Sequence, residues 1–271
     1  MLQLSEIWIY PIKSLGGIPL EQSKVTERGL ENDRRWMLVD QEGLFLSQRT
    51  HPQLALFQPQ IENDFLNITH KGKESEALKI SLLADNLKPK NKIPVTVWED
   101  DLEAEELSLE ANEWFSERLG FAVRLVYMPE ESHRKVDPNY AVNADNITSF
   151  SDGFPFLMIG QASLDDLNSR LDNPISIKRF RPNFVFIGGE AYEEEIWKEF
   201  NIGSLTFYGV KPSGRCIITT VNPELGKFAG KEPLFTLSKY RKVGKKVLFG
   251  QNVIAKEQGD IAVGDFVAVL K

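Results

Sequence analysis

The only cysteine of the chain, Cys216, follows Lys211-Pro212-Ser213-Gly214-Arg215 and precedes Thr219 and Thr220, and a turn at Asn222-Pro223 closes the stretch. A thiol directly beside a guanidinium, on a segment of small residues, suits a closely approached anionic or metal-bound ligand. A lone free cysteine is more often a small buried hydrophobe, so the cations elsewhere carry more weight. Lys13 lies in Tyr10-Pro11-Ile12-Lys13-Ser14, Arg34 and Arg35 follow Asn32-Asp33, and Arg49 follows Ser47-Gln48. Arg179 and Arg181 flank Phe180 ahead of Pro182-Asn183. Arginines at strand ends and turns of an acidic protein point to an anion pocket, because guanidinium bonds phosphate through two parallel N–H groups. His51, His70 and His133 show no metal-ligand spacing and there is no CxxC, which argues against structural zinc. A Cys216–His pair meeting in space would form a nucleophile and base; His51, in a Thr-His-Pro turn, and His133, in a charged loop, read as surface residues. No dinucleotide fingerprint or P-loop occurs, and Gly16-Gly17 and Gly188-Gly189 read as turns.

Residues so far apart need a scaffold of many short elements. Residues 7–10, 36–40, 44–46, 54–57, 65–69, 78–82 and 94–98 read as strands cut by turns, with 36–40 and 44–46 joined as a hairpin through Gln41-Glu42-Gly43. Such short, closely spaced strands predict a barrel or sandwich. The acidic run 100–106 reads as a solvated face or linker. A helix follows, with Ser108 as N-cap, Ala111, Trp114, Phe115 and Leu119 on one face, and Gly120 as its stop. Residues 122–127 form the next strand. The polar, proline-bounded run 129–138 marks a boundary between domains 1–128 and 129–271. A second helix starts near Ser163, with Asp166 completing a capping-box variant and Leu164, Leu167 and Leu171 as its apolar stripe. Residues 184–187 read as a buried strand, and 205–208 as a strand entering the cysteine segment. The C-terminal residues close a barrel with a turn at Gly264-Asp265. The expected fold class is mainly β with peripheral helices (α+β).

Composition is that of a soluble globular protein: 271 residues, 42% hydrophobic and 26% charged. A net charge of −7 and a pI near 5.2 exclude a general nucleic-acid binder. One cysteine makes no internal disulfide, which fits a reducing compartment. The N-terminus has no signal-peptide pattern, and no apolar run approaches the roughly 18–20 residues of a membrane span. A cytoplasmic protein is expected.

Six motifs stand in an order shared with a known family. They are Tyr10-Pro11-Ile12-Lys13-Ser14; Asp33-Arg34-Arg35-Trp36; Ser47-Gln48-Arg49 with Pro52-Gln53-Leu54; Arg179-Phe180-Arg181-Pro182-Asn183; Arg215-Cys216 with Thr219-Thr220-Val221; and Leu248-Phe249-Gly250-Gln251-Asn252. Across essentially the whole chain the sequence resembles MOSC proteins with the N-terminal MOSC β-barrel domain, among them the mitochondrial amidoxime-reducing components and their bacterial relatives. The resemblance implies an N-terminal β-barrel-like domain (1–128), a C-terminal MOSC β-barrel (129–271), and a molybdenum-cofactor (Mo-molybdopterin) oxidoreductase of the sulfite-oxidase type.

In that family a cysteine thiolate ligates molybdenum beside the dithiolene of the pyranopterin. Cys216 matches it, as catalytic residue and metal ligand, and a soft thiolate suits the metal. The cofactor-binding residues carried over are Lys13, Ser14, Arg34, Ser151, Asp152, Arg181, Asn183 and Arg215. Glu194 and Glu195 also match a family pattern and read as structural or pocket-rim residues. Gly214 stands where animal members carry a side chain. The reaction implied is reduction of small N-hydroxylated substrates to N–H compounds by oxygen-atom transfer from N–OH to reduced molybdenum. Electrons would come from an external flavin- or haem-containing donor, because no flavin, haem or cluster motif is visible. The membrane anchor of animal members and the C-terminal ferredoxin domain of some bacterial ones are not expected here; neither a nucleic-acid polymer nor a membrane is an expected partner. MOSC modules also serve as molybdenum-cofactor or sulfur carriers, in which Cys216 would bear a persulfide. The N-terminal barrel and the lack of a pyridoxal-dependent domain favour the enzyme.

Overall fold

Apolar and aromatic runs separated by turn residues assemble into a nine-stranded sheet that carries the cysteine segment. In the computed structural model, which describes all residues except 74–75, 84–85 and 88–90, the strand order is Ile18–Leu20, Gln3–Ile9, Phe184–Ile187, Phe156–Gly160, Lys246–Ala255, Leu205–Arg215, Glu199–Ile202, Val267–Val269, with Lys242–Val243 added beside Lys246–Ala255. Only Phe156–Gly160 and Phe184–Ile187 run parallel. The sheet closes on itself: Leu4 N donates to Asp265 O (2.9 Å), Gly264 N to Leu4 O (2.8 Å) and Val267 N to Leu2 O (3.0 Å). Closure joins the Val267–Val269 end of the sheet to the start of Gln3–Ile9 and buries alternate side chains in one interior. Phe156 stacks on Phe184 (5.2 Å between centroids) and Phe200 on Phe207 (5.8 Å), filling that interior.

The first half of the chain adds two further sheets. One runs Trp36–Val39, Arg124–Tyr127, Asp100–Glu106, Asn91–Val97; the other Phe57–Glu62, Phe65–His70, Leu78–Ser81. Helix Leu109–Leu119 sets Trp114 and Phe115 against Phe57, at 5.8 and 5.2 Å. It begins with Ser108 Oγ accepting from Ala111 N (3.1 Å) and ends at Gly120 in the left-handed region, as its sequence predicts. The halves are interleaved. Gln3–Ile9 pairs with Phe184–Ile187, and Gln22–Thr26 pairs with Gly259–Ala262. Among the described residues no helix is long and apolar enough to cross a membrane.

Three local expectations are corrected. The acidic run, read as a solvated face or a linker, has a solvated face but is no linker: it is the strand Asp100–Glu106, paired on both sides. Its alternation buries Ala104 and exposes Asp101 and Glu103 on the other face, where Asp101 accepts from Thr96 Oγ1 at 2.8 Å, while Asp100, on Ala104's side at the strand's start, meets the buried Arg134 at 2.7 Å. Residues 52–56 form a 3₁₀ turn, Pro52–Leu56, because Pro52 presets φ at its start and the strand begins only at Phe57. Helix Gln161–Asn168 starts after Gly160, and Ser163 is not its cap.

Ser163 instead lies fully buried, its hydroxyl 3.0 Å from both carboxylate oxygens of Glu194. Gly160 N also donates to Glu194 (3.2 Å). Glu194 is therefore a structural residue. Burial pushes its carboxyl up to about 7, against the hydrogen bonds that lower it. Between its ordinary value of 4.5 and about 7 the native state keeps a proton that the unfolded chain has released, so this group's contribution to stability falls as pH rises through that window and is level above it. Glu194→Gln removes the titration and keeps an acceptor for Gly160 N. It is expected to stabilise the protein at pH ~8, by up to about 3 kcal/mol, and to do little at pH ~5. Urea denaturation at both pH values checks this; equal shifts at the two would refute it.

Candidate functional site

A cavity of about 410 Å³ opens where the ends of the interleaved strands meet, and Lys13, Ser14, Arg34, Ser151, Asp152, Arg181, Asn183, Arg215 and Cys216 all line it. Its described lining holds nine cations, the others being Arg49, Arg179, Lys211, Lys245 and Lys246, against one carboxylate, Asp152. None of the three histidines lines it, so no Cys216–His pair forms there.

Strand ends and backbone kinks aim these side chains inward. Strand Leu205–Arg215 carries two bulges against Lys246–Ala255, between Gly209 and Lys211 and between Pro212 and Gly214. A bulge accommodates Pro212 inside a strand and turns the following residues. Cys216 then opens the 3₁₀ turn Ile217–Thr220 as a half-buried free thiol. Ser14, Arg34 and Arg181 have φ of 70°, 50° and 57°. A left-handed non-glycine residue costs ~1–3 kcal/mol and persists only where its surroundings enforce it. Here Arg34 N donates to Tyr10 O (3.0 Å), Gln48 Nε2 to Ser14 O (2.6 Å), Arg34 Nη2 to Arg181 O (3.3 Å) and Arg181 Nη1 to Leu15 O (2.6 Å).

Behind the cavity, the buried Asp33 gathers the two halves of the chain. Its carboxylate accepts from Tyr10 N (2.7 Å), Asn183 Nδ2 (3.1 Å) and Arg34 Nη1. Asn183 donates also to Trp8 O (3.1 Å) and accepts from Arg34 Nη1 and Leu157 N, each at 3.2 Å. All four hydrogen-bonding positions of the Asn183 amide are thereby engaged within the protein, so it positions Arg34. The Ser151 hydroxyl is likewise held, by Thr148 Oγ1 (2.6 Å) and Phe154 O (2.8 Å). The Arg34 and Arg181 guanidiniums lie 4.5 and 4.1 Å from the Tyr10 ring centre. Gly17 permits this stack, since a Cβ there would come within 2.5 Å of Tyr10 Cε1.

Two cations keep donors in reserve. Arg181 Nη2 and Arg215 Nε are buried with no hydrogen-bond partner. The rest of the Arg215 guanidinium is fixed by Ser213 Oγ (3.0 Å) and Phe180 O (2.5 Å). A buried unmet donor costs about 1–3 kcal/mol, which an anionic acceptor in the cavity removes. Burial pulls both guanidiniums down to about 10, still cationic at neutral pH. Burial also pulls the Lys13 ammonium down to about 8, opposed by Asp152. Lys13 Nζ donates to Phe150 O and Asp152 Oδ1, both at 2.7 Å. Burial tends to raise the Asp152 carboxyl, but Lys13 and Arg49 hold it well below the usual carboxylate range.

Sequence reasoning passed over several contributors. Arg134, in the polar 129–138 run, is buried and donates to Ser149 O (3.0 Å) and Ser151 O (2.5 Å), which sets the loop presenting Asp152. Lys245 and Lys246 follow Gly244 in a tight turn (φ 58°), a basic pair whose only signal was its place after a turn glycine. At Gly214 a Cβ would meet Lys246 Cδ at 3.4 Å, an ordinary contact, so the backbone does not demand glycine there.

Two family models match this chain: residues 1–122 match the MOSC N-terminal beta barrel domain and residues 145–268 the MOSC domain. The chain is 32% identical over 285 aligned positions to mitochondrial amidoxime-reducing component 1 of Homo sapiens, covering 98% of this chain and 82% of that protein. It is 34% identical over 280 positions to mitochondrial amidoxime reducing component 2 of Rattus norvegicus, covering 97% and 81%. The chain belongs to the family of the amidoxime-reducing components.

Proposed function

We propose that the cavity binds the molybdenum cofactor and that the protein reduces small N-hydroxylated compounds to N–H products. The observation that carries this reading is a free thiol facing the same cavity as nine cations, two of them with buried, unmet donors. A pterin phosphate fits that donor set, since anchoring a polyanion needs converging cations. Among the described residues no three His, Cys, Asp or Glu side chains converge; Cys216 would be the protein's ligand to a metal that the cofactor's dithiolene carries. When bound, the cofactor supplies the oxygen-atom acceptor and the route for two electrons. The protein's own part is to hold it. Cys216 offers a soft ligand, Arg181 and Arg215 grip the phosphate, and Lys13, kept cationic beside Asp152, adds a charged donor. The names of the relatives, amidoxime-reducing components, support the substrate class. Electrons come from an external flavin- or haem-containing donor, and a single cysteine suits the cytoplasm.

Protein made in a molybdenum-competent host is expected to carry about one molybdenum per chain with its pterin and to reduce benzamidoxime with reduced methyl viologen. Protein that lacks both metal and pterin after such expression refutes the reading.

A further inference from the structure

We infer that the face formed by residues 225–246 docks an electron-carrier protein through that carrier's acidic surface, an inference that rests on the redox function proposed above. Lys227, Lys231, Lys239, Lys242, Lys245 and Lys246 are all exposed on it, with Arg241, against the single carboxylate of Glu232, in a chain of net charge −7. Glu232 is turned inward, accepting from Thr236 N and Thr236 Oγ1 at 3.0 Å each. Glu224, just before the segment, pairs with Lys71, and Arg241 pairs with Glu195. None of the six lysines makes an ion pair among the described residues.

Exposed apolar side chains are interspersed with these charges, Lys239 Nζ lying 4.3 Å from the Phe235 ring centre. Ile217, Phe228, Phe235 and Val243 are 48%, 42%, 49% and 66% exposed. They belong to neighbouring elements. Lys227–Phe228 pairs with Val221–Asn222, Ala229 N donates to Thr220 O (2.8 Å), helix Leu234–Tyr240 packs on the turn Ile217–Thr220, and Lys242–Val243 pairs with Lys246–Ala255. The turn Ile217–Thr220 begins immediately after Cys216, and Lys245 and Lys246 belong both to this face and to the cavity lining. The face thus rims the redox site.

Apolar side chains interspersed with uncompensated cations give a charge-steered encounter followed by a short-lived contact. That suits a carrier that must arrive, deliver and leave. Each turnover of R–NHOH to R–NH₂ and water consumes two electrons and two protons, so a carrier of single electrons docks twice. A small anionic substrate would use Lys245 and Lys246 and leave Lys227, Lys231 and Lys239 without a purpose. A nucleic-acid strand extending beyond the face would meet a net-acidic body.

The test is binding of oxidised flavodoxin, an acidic flavin carrier, to the full chain by fluorescence anisotropy. The wild type is expected to bind with a Kd that climbs steeply between about 20 and 200 mM NaCl. The triple variant Lys231→Glu, Lys239→Glu, Lys242→Glu is expected to bind about tenfold or more weakly. A control of equal charge change per site, Lys24→Glu with Lys79→Glu, keeps wild-type affinity and the thermal melt of each variant reports folding. In molybdenum-loaded protein, flavodoxin-driven reduction falls with the triple variant and viologen-driven reduction does not. No wild-type binding at low salt, equal binding by the triple variant, or tighter binding of a single-stranded oligonucleotide than of flavodoxin overturns the inference. If viologen drives no reduction by the loaded wild type, the proposed function fails, and the binding measurements still judge the face.

Discussion

Cys216→Ala protein from a molybdenum-competent host is expected to keep its pterin and lose N–OH reduction, by on the order of 100-fold or more. The two halves of this expectation have separate causes. The anion-holding groups, Arg181, Arg215 and Lys13, are fixed by contacts that do not involve the thiol: Leu15 O, Ser213 Oγ, Phe180 O, Phe150 O and Asp152. Removing Sγ leaves them in place, so a bound phosphate would remain gripped. The thiol is the only sulfur among the described lining residues and the soft ligand a bound metal would have, so its loss would change the metal's reactivity without emptying the site. Serine is the informative second variant, since it keeps size and replaces a soft ligand by a hard one. Pterin released from the protein and quantified by fluorescence, together with the metal content and the benzamidoxime rate, separates the outcomes. Full turnover by Cys216→Ala would refute the ligand role. Simultaneous loss of pterin, metal and the wild-type melting temperature would place Cys216 in the packing instead.

Asp33→Ala is expected to be the most damaging single change in the network behind the cavity, costing ~3–5 kcal/mol. Asp33 is 1% exposed and its carboxylate accepts from Tyr10 N, Arg34 Nη1 and Asn183 Nδ2. Truncation leaves the largely buried Arg34 guanidinium without its counter-charge and two further donors without an acceptor, and removing one member of a buried pair is the costly case. The damage crosses the molecule because the partners come from both ends of the chain. Asn183 also bonds Trp8 O, and Arg34 Nη2 reaches Arg181 O. Asp33→Asn retains one acceptor oxygen and should lose less. Denaturant unfolding measures both; a cost below about 1 kcal/mol for Asp33→Ala would show that this network does not hold the halves together.

Much of the local structure was legible in the sequence because its causes are local. Ser108 and Gly120 bound a helix through one capping bond and one left-handed residue, both set by residue type. The strand Phe184–Ile187 is a short apolar run, and the hairpin joining residues 36–40 to 44–46 appears as Leu46 N donating to Leu38 O (2.8 Å) and Asp40 N to Leu44 O (3.0 Å). The acidic run was legible as a solvated face but not as a strand. Its charge pattern says solvent, and Asp101 and Glu103 are indeed exposed, but pairing with the adjacent Asn91–Val97 and, at its end, with Arg124–Tyr127 makes it a strand buried at Ala104. Ser163 failed because a hydroxyl can cap a helix or bond a buried carboxylate, and only the position of Glu194 decides which.

The sequence by itself, through residue type and the family resemblance, pointed to residues that share one cavity: Cys216, Lys13 and the turn arginines other than Arg35, which pairs with Glu130 instead. The tertiary structure alone decided what each is free to do. Asn183 and Ser151 line the cavity with their polar groups already engaged, whereas Arg181 and Arg215 line it with donors unmet. Lys245 and Lys246 enter the lining only because Lys242–Val243 folds back on Lys246–Ala255. Hydrogen-bond saturation depends on distances between groups as far apart in the chain as Asp33 and Asn183, and no local periodicity encodes those distances.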